Sequence, residues 1–312
     1  MKTVCVKGYE EASAWLKRAQ LALVLWALSI TGGTWAHPGS GIVVNRQGEV
    51  FFTDTGKGVW KIDSRGNLTY FHSSSYHWMA IGETRHAAVP PSWGDFQKVT
   101  RGAPTVVTSS DVPITIGTDG CMYYAHQSGG HPMEVLRQDP SGETSVLVTI
   151  ATNAEGQPIR WVNGIAAGAD GTLYFTEDSA VQKISKERVV STVMKVQIAG
   201  CQAEAVLDSP PGPYLRGLAV GLDGELFVAA TGCRRVLKIT PPRKVTTVLE
   251  AESPWSPTGV AVHGSDVFVL EYEHIPVPDR QWRPRVRKVT AHGKVISLAL
   301  VEREPKQGTR PD

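Results

Sequence analysis

Single polar residues recur in this sequence just ahead of short apolar runs. The six positions are Ser40, His77, Val112 (beside Asp111), Asn163, Arg216 and Thr258, polar at all but Val112. A second set follows the β-rich runs further on: Asp54, His126, His131, Glu177, Asp178, Glu271, Tyr272 and His274. Their types suit several chemistries. Histidine, glutamate and arginine can move protons or meet developing charge, so His77, Arg216, Glu177 and Glu271 are the catalytic candidates. Asn163, Arg216, Thr258, Tyr272 and Trp282 offer the mixed polar and aromatic contacts of a ligand site. Asn163, His77, His126 and His274 are the candidate metal ligands, since three histidines with an open position suit zinc. An arginine in such a set favours an anion, above all a carboxylate held bidentately. No close H-x-H or HExxH spacing, nucleophile elbow, phosphate loop or dinucleotide fingerprint is present.

The elements that must position these residues repeat. Val162–Ile184 shows the unit most clearly: an apolar run at Gly164–Ala167, the turn Asp170-Gly171, a β-rich run at Leu173–Thr176, a polar turn, then a run ending Lys183-Ile184. Alternation and turn chemistry predict antiparallel strands. Inner runs of the same kind begin near residues 41, 78, 113, 217 and 259, a period of roughly 35 to 53 residues. Six units of four short strands predict an all-β fold, a six-bladed β-propeller of four-stranded antiparallel blades. The middle of the second unit is degraded, with Pro90-Pro91 where a central strand would donate. Each blade is expected to be complete in sequence, the ring closing by packing of the sixth on the first. In a propeller the loops entering each inner strand share a face with the turns between second and third strands. Both residue sets above therefore map to one end of the central channel. The segment 271–285 is read as a long loop over that end. Trp161 and Trp255 are expected there too, as ligand walls or as packing between blades.

The pattern G-(I/L/V)-A…D-G-x-(L/V)-(Y/F)…V-x-K-I resembles the NHL repeat. Asn163-Gly164-Ile165 with Asp170–Thr176 resembles the gluconolactonase/regucalcin and strictosidine-synthase-like propellers. The resemblance implies a small-molecule site at the channel mouth, a divalent cation (calcium or zinc) as cofactor, and metal-assisted hydrolysis of the lactonase type. Asn163 matches a ligand position of that family. Gly39-Ser40 and Arg216 stand where acidic residues would be expected. A non-catalytic propeller that binds a small molecule or a protein on the same face is the alternative. A zinc-dependent lyase of the amidating type is a further one.

Residues 1–36 read as a signal peptide, with Lys17-Arg18, an apolar run at Leu21–Ile30 and small residues at Thr34 and Ala36. The propeller is expected over 37–302 and a disordered tail over 303–312. A secreted or periplasmic address follows, with no membrane association once the signal is removed. The leader holds four basic and two acidic residues, and the whole chain is +2, so the remainder is neutral. That excludes an electrostatic footprint for nucleic acid. A monomer is expected. Cys5 leaves with the leader. Cys201 and Cys233 both map to the channel-mouth face near the fifth blade and are predicted to form a disulfide, leaving Cys121 as a buried thiol.

Overall fold

The computed structural model describes residues 38–303, apart from 56, 73–75, 84–87, 89–95, 101–104, 128–131, 153–155, 157, 160, 199–200, 202–211, 241–243 and 276–280. The leader, residues 304–312, His131 and Pro90-Pro91 lie outside the described residues. Among the described residues no helix is long and apolar enough to cross a membrane.

Five sheets are four-stranded antiparallel meanders, each from one continuous stretch of sequence. Their inner strands are Ile42–Val44, Ile114–Ile116, Gly164–Ala167, Leu215–Val220 and Trp255–His263. Six inner strands, with Trp78–Gly82 as the other, contact one another in ring order, the last touching the first. Every neighbouring pair of sheets also shares an apolar cluster, including the sixth with the first. In the closing cluster Ile42, Val44 and Phe52 meet Phe268, Leu270 and Tyr272.

Two local features explain why the repeat reads so clearly. The turn after the inner strand needs one left-handed residue. At Gly171, φ is 83°, and its N–H closes a turn on the Gly168 carbonyl at 3.0 Å. At the narrow inner circumference backbones nearly touch. A Cβ on Gly217 would meet the Gly259 Cα at 2.6 Å, so no side chain fits there.

The second sheet departs from the expected four-stranded meander. Its three described strands lie in the order Trp78–Gly82, Val106–Ser110, Phe96–Lys98. Val106–Ser110 inserts between Phe96–Lys98 and the inner strand. Val106–Ser110 is buried at every position, so it shows no alternation by which to be recognised. Asp111, at its end, is thereby brought beside the start of the inner strand.

The expected loop 271–285 is largely a hairpin. Asp266–Ile275 pairs with Gln281–Val289 over nine registers, Glu271 opposite Arg285 and Glu273 opposite Arg283. Arg303, expected to open a tail, is bound into the ring. Its guanidinium donates Nη1 to Asp54 Oδ2 (2.7 Å) and Nη2 to Asp54 Oδ1 (2.6 Å).

Cys201 and Cys233 are disulfide-bonded. Cys121 is a free thiol, 1% exposed. Burial first, then the Asp119 carboxylate, pushes its pKa up to about 11. Iodoacetamide at pH 8 is therefore expected to leave Cys121 unmodified in the folded protein and to label it after denaturation without reductant. Peptide mapping checks this; labelling of Cys121 in the folded protein contradicts it.

Candidate functional site

The mouth end of the channel is held by polar hooks from blade to blade. Thr176 Oγ1 donates to the Arg216 carbonyl (2.7 Å), Thr231 Oγ1 to the Pro257 carbonyl (2.7 Å), and Thr258 Oγ1 to the Gly39 carbonyl (2.6 Å). Asn163 Nδ2 donates to the Leu215 carbonyl (2.9 Å) and lies 3.4 Å from Asp178 Oδ1. Two of the polar residues at the inner-strand starts thus have their side chains engaged by the next blade.

Two side chains reach further. Trp78 Nε1 in blade two donates to the Asn163 carbonyl in blade four at 2.9 Å. Arg216 Nη2 in blade five donates to the Pro38 carbonyl at the start of blade one at 2.6 Å. Each contact skips one blade, so each is a chord across the ring rather than a link along it. The indole contact was not expected from the sequence.

His77 and Asp111 form a pair, with Nδ1 2.6 Å from Oδ1. The Asp111 carboxyl is about half exposed, and the hydrogen bond from His77 holds it below the usual carboxylate range despite partial burial. The His77 ring tilts against Trp78, with centroids 5.5 Å apart. The His77 carbonyl accepts from the backbone N–H groups of Ser40 (2.6 Å) and Gly41 (2.9 Å). The segment Pro38–Gly41 therefore contacts both Arg216 and His77.

The remaining sequence candidates are spread out. Glu177 accepts from Gln182 Nε2 at 3.3 Å. Tyr272 is buried between blades six and one, and its hydroxyl donates to the Thr53 carbonyl at 2.6 Å. Burial pushes its pKa far up. Trp282 packs edge-on against Tyr272, centroids 6.4 Å apart, and its carbonyl accepts from Arg303.

Glu271 is completely buried and engaged by two arginines. Arg287 Nε and Arg285 Nε donate to its Oε2 at 2.6 and 2.7 Å. Arg285 also lies 4.1 Å over the Trp255 ring and donates to Glu252 at 2.6 Å. This network joins blade six to the segment leading into it and commits both Glu271 oxygens to arginines of the same hairpin.

His126 is half-buried at the end of Met122–His126 in blade three, and His274 lies in the long hairpin, its side chain outside the described residues. The four expected metal ligands therefore belong to blades two, three, four and six. Among the described residues no three His, Cys, Asp or Glu gather to hold an ion. Arg216 brings a positive charge to the mouth, and among the described residues the expected ligands do not come together into a divalent-cation site.

No family model matches the chain, and no curated protein sequence matches it. Solved structures do. The luciferin-regenerating enzyme is similar over 84% of this chain and 94% of its own, at 14% identity with a TM-score of 0.53. A virginiamycin B lyase from Staphylococcus aureus is similar over 82% and 68%, at 16% identity and a TM-score of 0.43. A gluconolactonase from Xanthomonas campestris is similar over 85% and 77%, at 11% identity and 0.44. At such identities the likeness is one of architecture. It agrees with the hydrogen-bonded sheets described above: the chain has the fold of a β-propeller.

Proposed function

We propose that the channel mouth is a small-molecule enzyme site in which His77, oriented by Asp111, moves a proton, and that the reaction is hydrolysis of a small ester such as a lactone. The observation that carries this reading is the 2.6 Å contact between His77 Nδ1 and Asp111 Oδ1. A carboxylate on Nδ1 places the proton there and leaves Nε2 with its lone pair, the arrangement that lets an imidazole take a proton from water. Among the described residues the His77 imidazole has no second hydrogen-bond partner. The lactone follows from the gluconolactonase-like architecture and is an argument by analogy. No step is routed through a metal. The disulfide supports an exported setting, since such bonds persist outside the reducing cytosol.

The test is turnover of a panel of sugar lactones and aryl esters. His77→Gln is expected to lower kcat by about 10²–10⁴-fold, with the circular dichroism spectrum unchanged. Equal rates for the variant and the parent would refute the role of His77. Turnover of none of the panel would leave the mouth as a binding site.

A second readout follows the pair itself. His77 holds the Asp111 carboxyl down, so the contact contributes above the ordinary carboxylate range and is lost as pH falls through the depressed value. In His77→Gln the Asp111 titration, followed by carboxyl ¹³C NMR, is expected to move up toward the ordinary aspartate value. An unmoved titration would show that the pair does not persist in solution.

A further inference from the structure

Two arginines are buried among the described residues, and their surroundings differ. Arg287 is 9% exposed and is ion-paired with Glu271 and Glu252. Arg216 is 8% exposed, and no carboxylate among the described residues lies within ion-pair distance of it. Its one hydrogen bond goes to a neutral acceptor, the Pro38 carbonyl. A guanidinium carries five donors and a full charge. Burying it without a counter-ion is among the most unfavourable arrangements a fold can contain. Burial lowers the Arg216 pKa, opposed by the Tyr214 and Tyr272 hydroxyls.

A second observation lies two residues from that carbonyl. Ser40, 7% exposed, has a buried Oγ with no hydrogen-bond partner. Its backbone N–H is already engaged by His77. A free hydroxyl and an uncompensated guanidinium thus stand at either end of the three-residue segment Pro38–Ser40. Immediately before the strand that carries Arg216, Tyr214 takes a left-handed backbone conformation with φ of 40°. A non-glycine residue adopts it at a cost and keeps it only where the surroundings enforce it.

We infer that the mouth binds a small carboxylate, with Arg216 as its cationic anchor and the Ser40 hydroxyl as its second donor. A carboxylate supplies the missing charge and accepts two parallel N–H donors from a guanidinium. A phosphate dianion brings a second negative charge, whereas one guanidinium matches the single charge and planar fork of a carboxylate. This takes the mouth as the ligand site, as the proposed function does, but requires no turnover. Under hydrolysis of a lactone, the product acquires the very group the site holds: water adds to the acyl carbon, the ring C–O bond breaks, and a hydroxy acid results. Arg216 then contacts the product carboxylate and His77 the proton of the attacking water.

The experiment uses the full chain and three probe pairs: lactate with lactamide, gluconate with gluconamide, and benzoate with benzamide. Inorganic phosphate is the fourth probe. Binding is read by saturation-transfer NMR and by the rise in Tm. At least one acid is expected to bind, with its amide weaker by tenfold or more. Arg216→Met is expected to abolish that difference, Arg216→Lys to weaken the acid about tenfold because it cannot fork, and Ser40→Ala to weaken it several-fold.

The ligand-free proteins give an independent measure. Because an unpaired buried charge is removed, Arg216→Met is expected to melt at or above the temperature of the parent. A purely structural arginine would give the opposite result. The inference is overturned if the amides bind as tightly as the acids, if phosphate binds in preference to every acid, or if Arg216→Met lowers the ligand-free Tm. Carboxylate binding without lactone turnover would end the proposed reaction and leave the anchor standing. Turnover without carboxylate binding would do the reverse.

Discussion

Glu271→Gln is expected to destabilise the protein by about 3–5 kcal/mol, the range for removing one partner of a buried ion pair. The substitution keeps the shape of the side chain and removes only its charge. Arg287 and Arg285 then face each other across a neutral amide, at 10% and 12% side-chain exposure. Glu252 alone cannot offset both, because its side chain is 59% exposed and screened by water. The apolar surroundings of Trp255, Val269 and Val289 give no alternative solvation. Urea unfolding with an unchanged m-value, and a Tm lowered by about 10 °C, would match this account. A loss below about 1 kcal/mol would mean that the two arginines find water or another partner. Replacing all three residues by apolar ones should cost much less than the single change, because no charge would remain to strand.

Removing the disulfide is the second large effect. Cys201→Ser with Cys233→Ser opens a loop with a sequence separation of 32. In the chain-entropy account a loop of that size contributes about 4 kcal/mol, through the freedom it denies the unfolded chain. The bond also brackets the strand that carries Arg216. Within that loop Gly232 donates to the Pro213 carbonyl at 3.0 Å and Thr231 to the Tyr214 carbonyl at 3.2 Å. These short contacts place the residues on either side of the strand, and the covalent bond keeps them at high effective concentration. The double variant is therefore expected to unfold at a Tm about 10 °C lower and to bind carboxylates more weakly than the parent. An unchanged Tm after reduction would refute the structural role.

Much of the ring was legible because its units repeat. A turn such as Gly168–Gly171, with a left-handed glycine, announces itself in any sequence. So does the glycine at the start of an inner strand, forced by backbone contact with the next blade. The pairing of Cys201 with Cys233 followed from placing both residues on the same face. The second blade was not legible for the complementary reason. Val106–Ser110 is buried on both faces, so it carries no alternation, and the pairing that places it beside Trp78–Gly82 is not local in sequence.

The sequence marked the polar residues at the inner-strand starts and second turns, and the structure gives some of them neighbours that the sequence did not suggest. Glu271 looked like a candidate acid in a loop. A sharper signal was present: glutamates at 271 and 273, arginines at 283, 285 and 287, all spaced by two. That spacing puts them on one face of a hairpin, where they must neutralise one another. Trp78 could not have been read as a cross-channel donor, since its acceptor is a backbone carbonyl 85 residues away.

The way the ring closes has a consequence for how the chain encodes it. The joint between the sixth and first blades has no shared strand. It consists of the apolar cluster around Tyr272, the Arg303–Asp54 pair, and a threonine hydroxyl on the Gly39 carbonyl. The last of these is the same device that joins blade four to five and blade five to six. The joint where the polypeptide is interrupted is thus built like the joints where it is continuous. What the sequence specifies is a cyclic order of modules. A circular permutant that opens a different inter-blade connection and links residues 38 and 303 would keep every hydrogen-bonded ladder, and its interruption would fall at an equivalent seam.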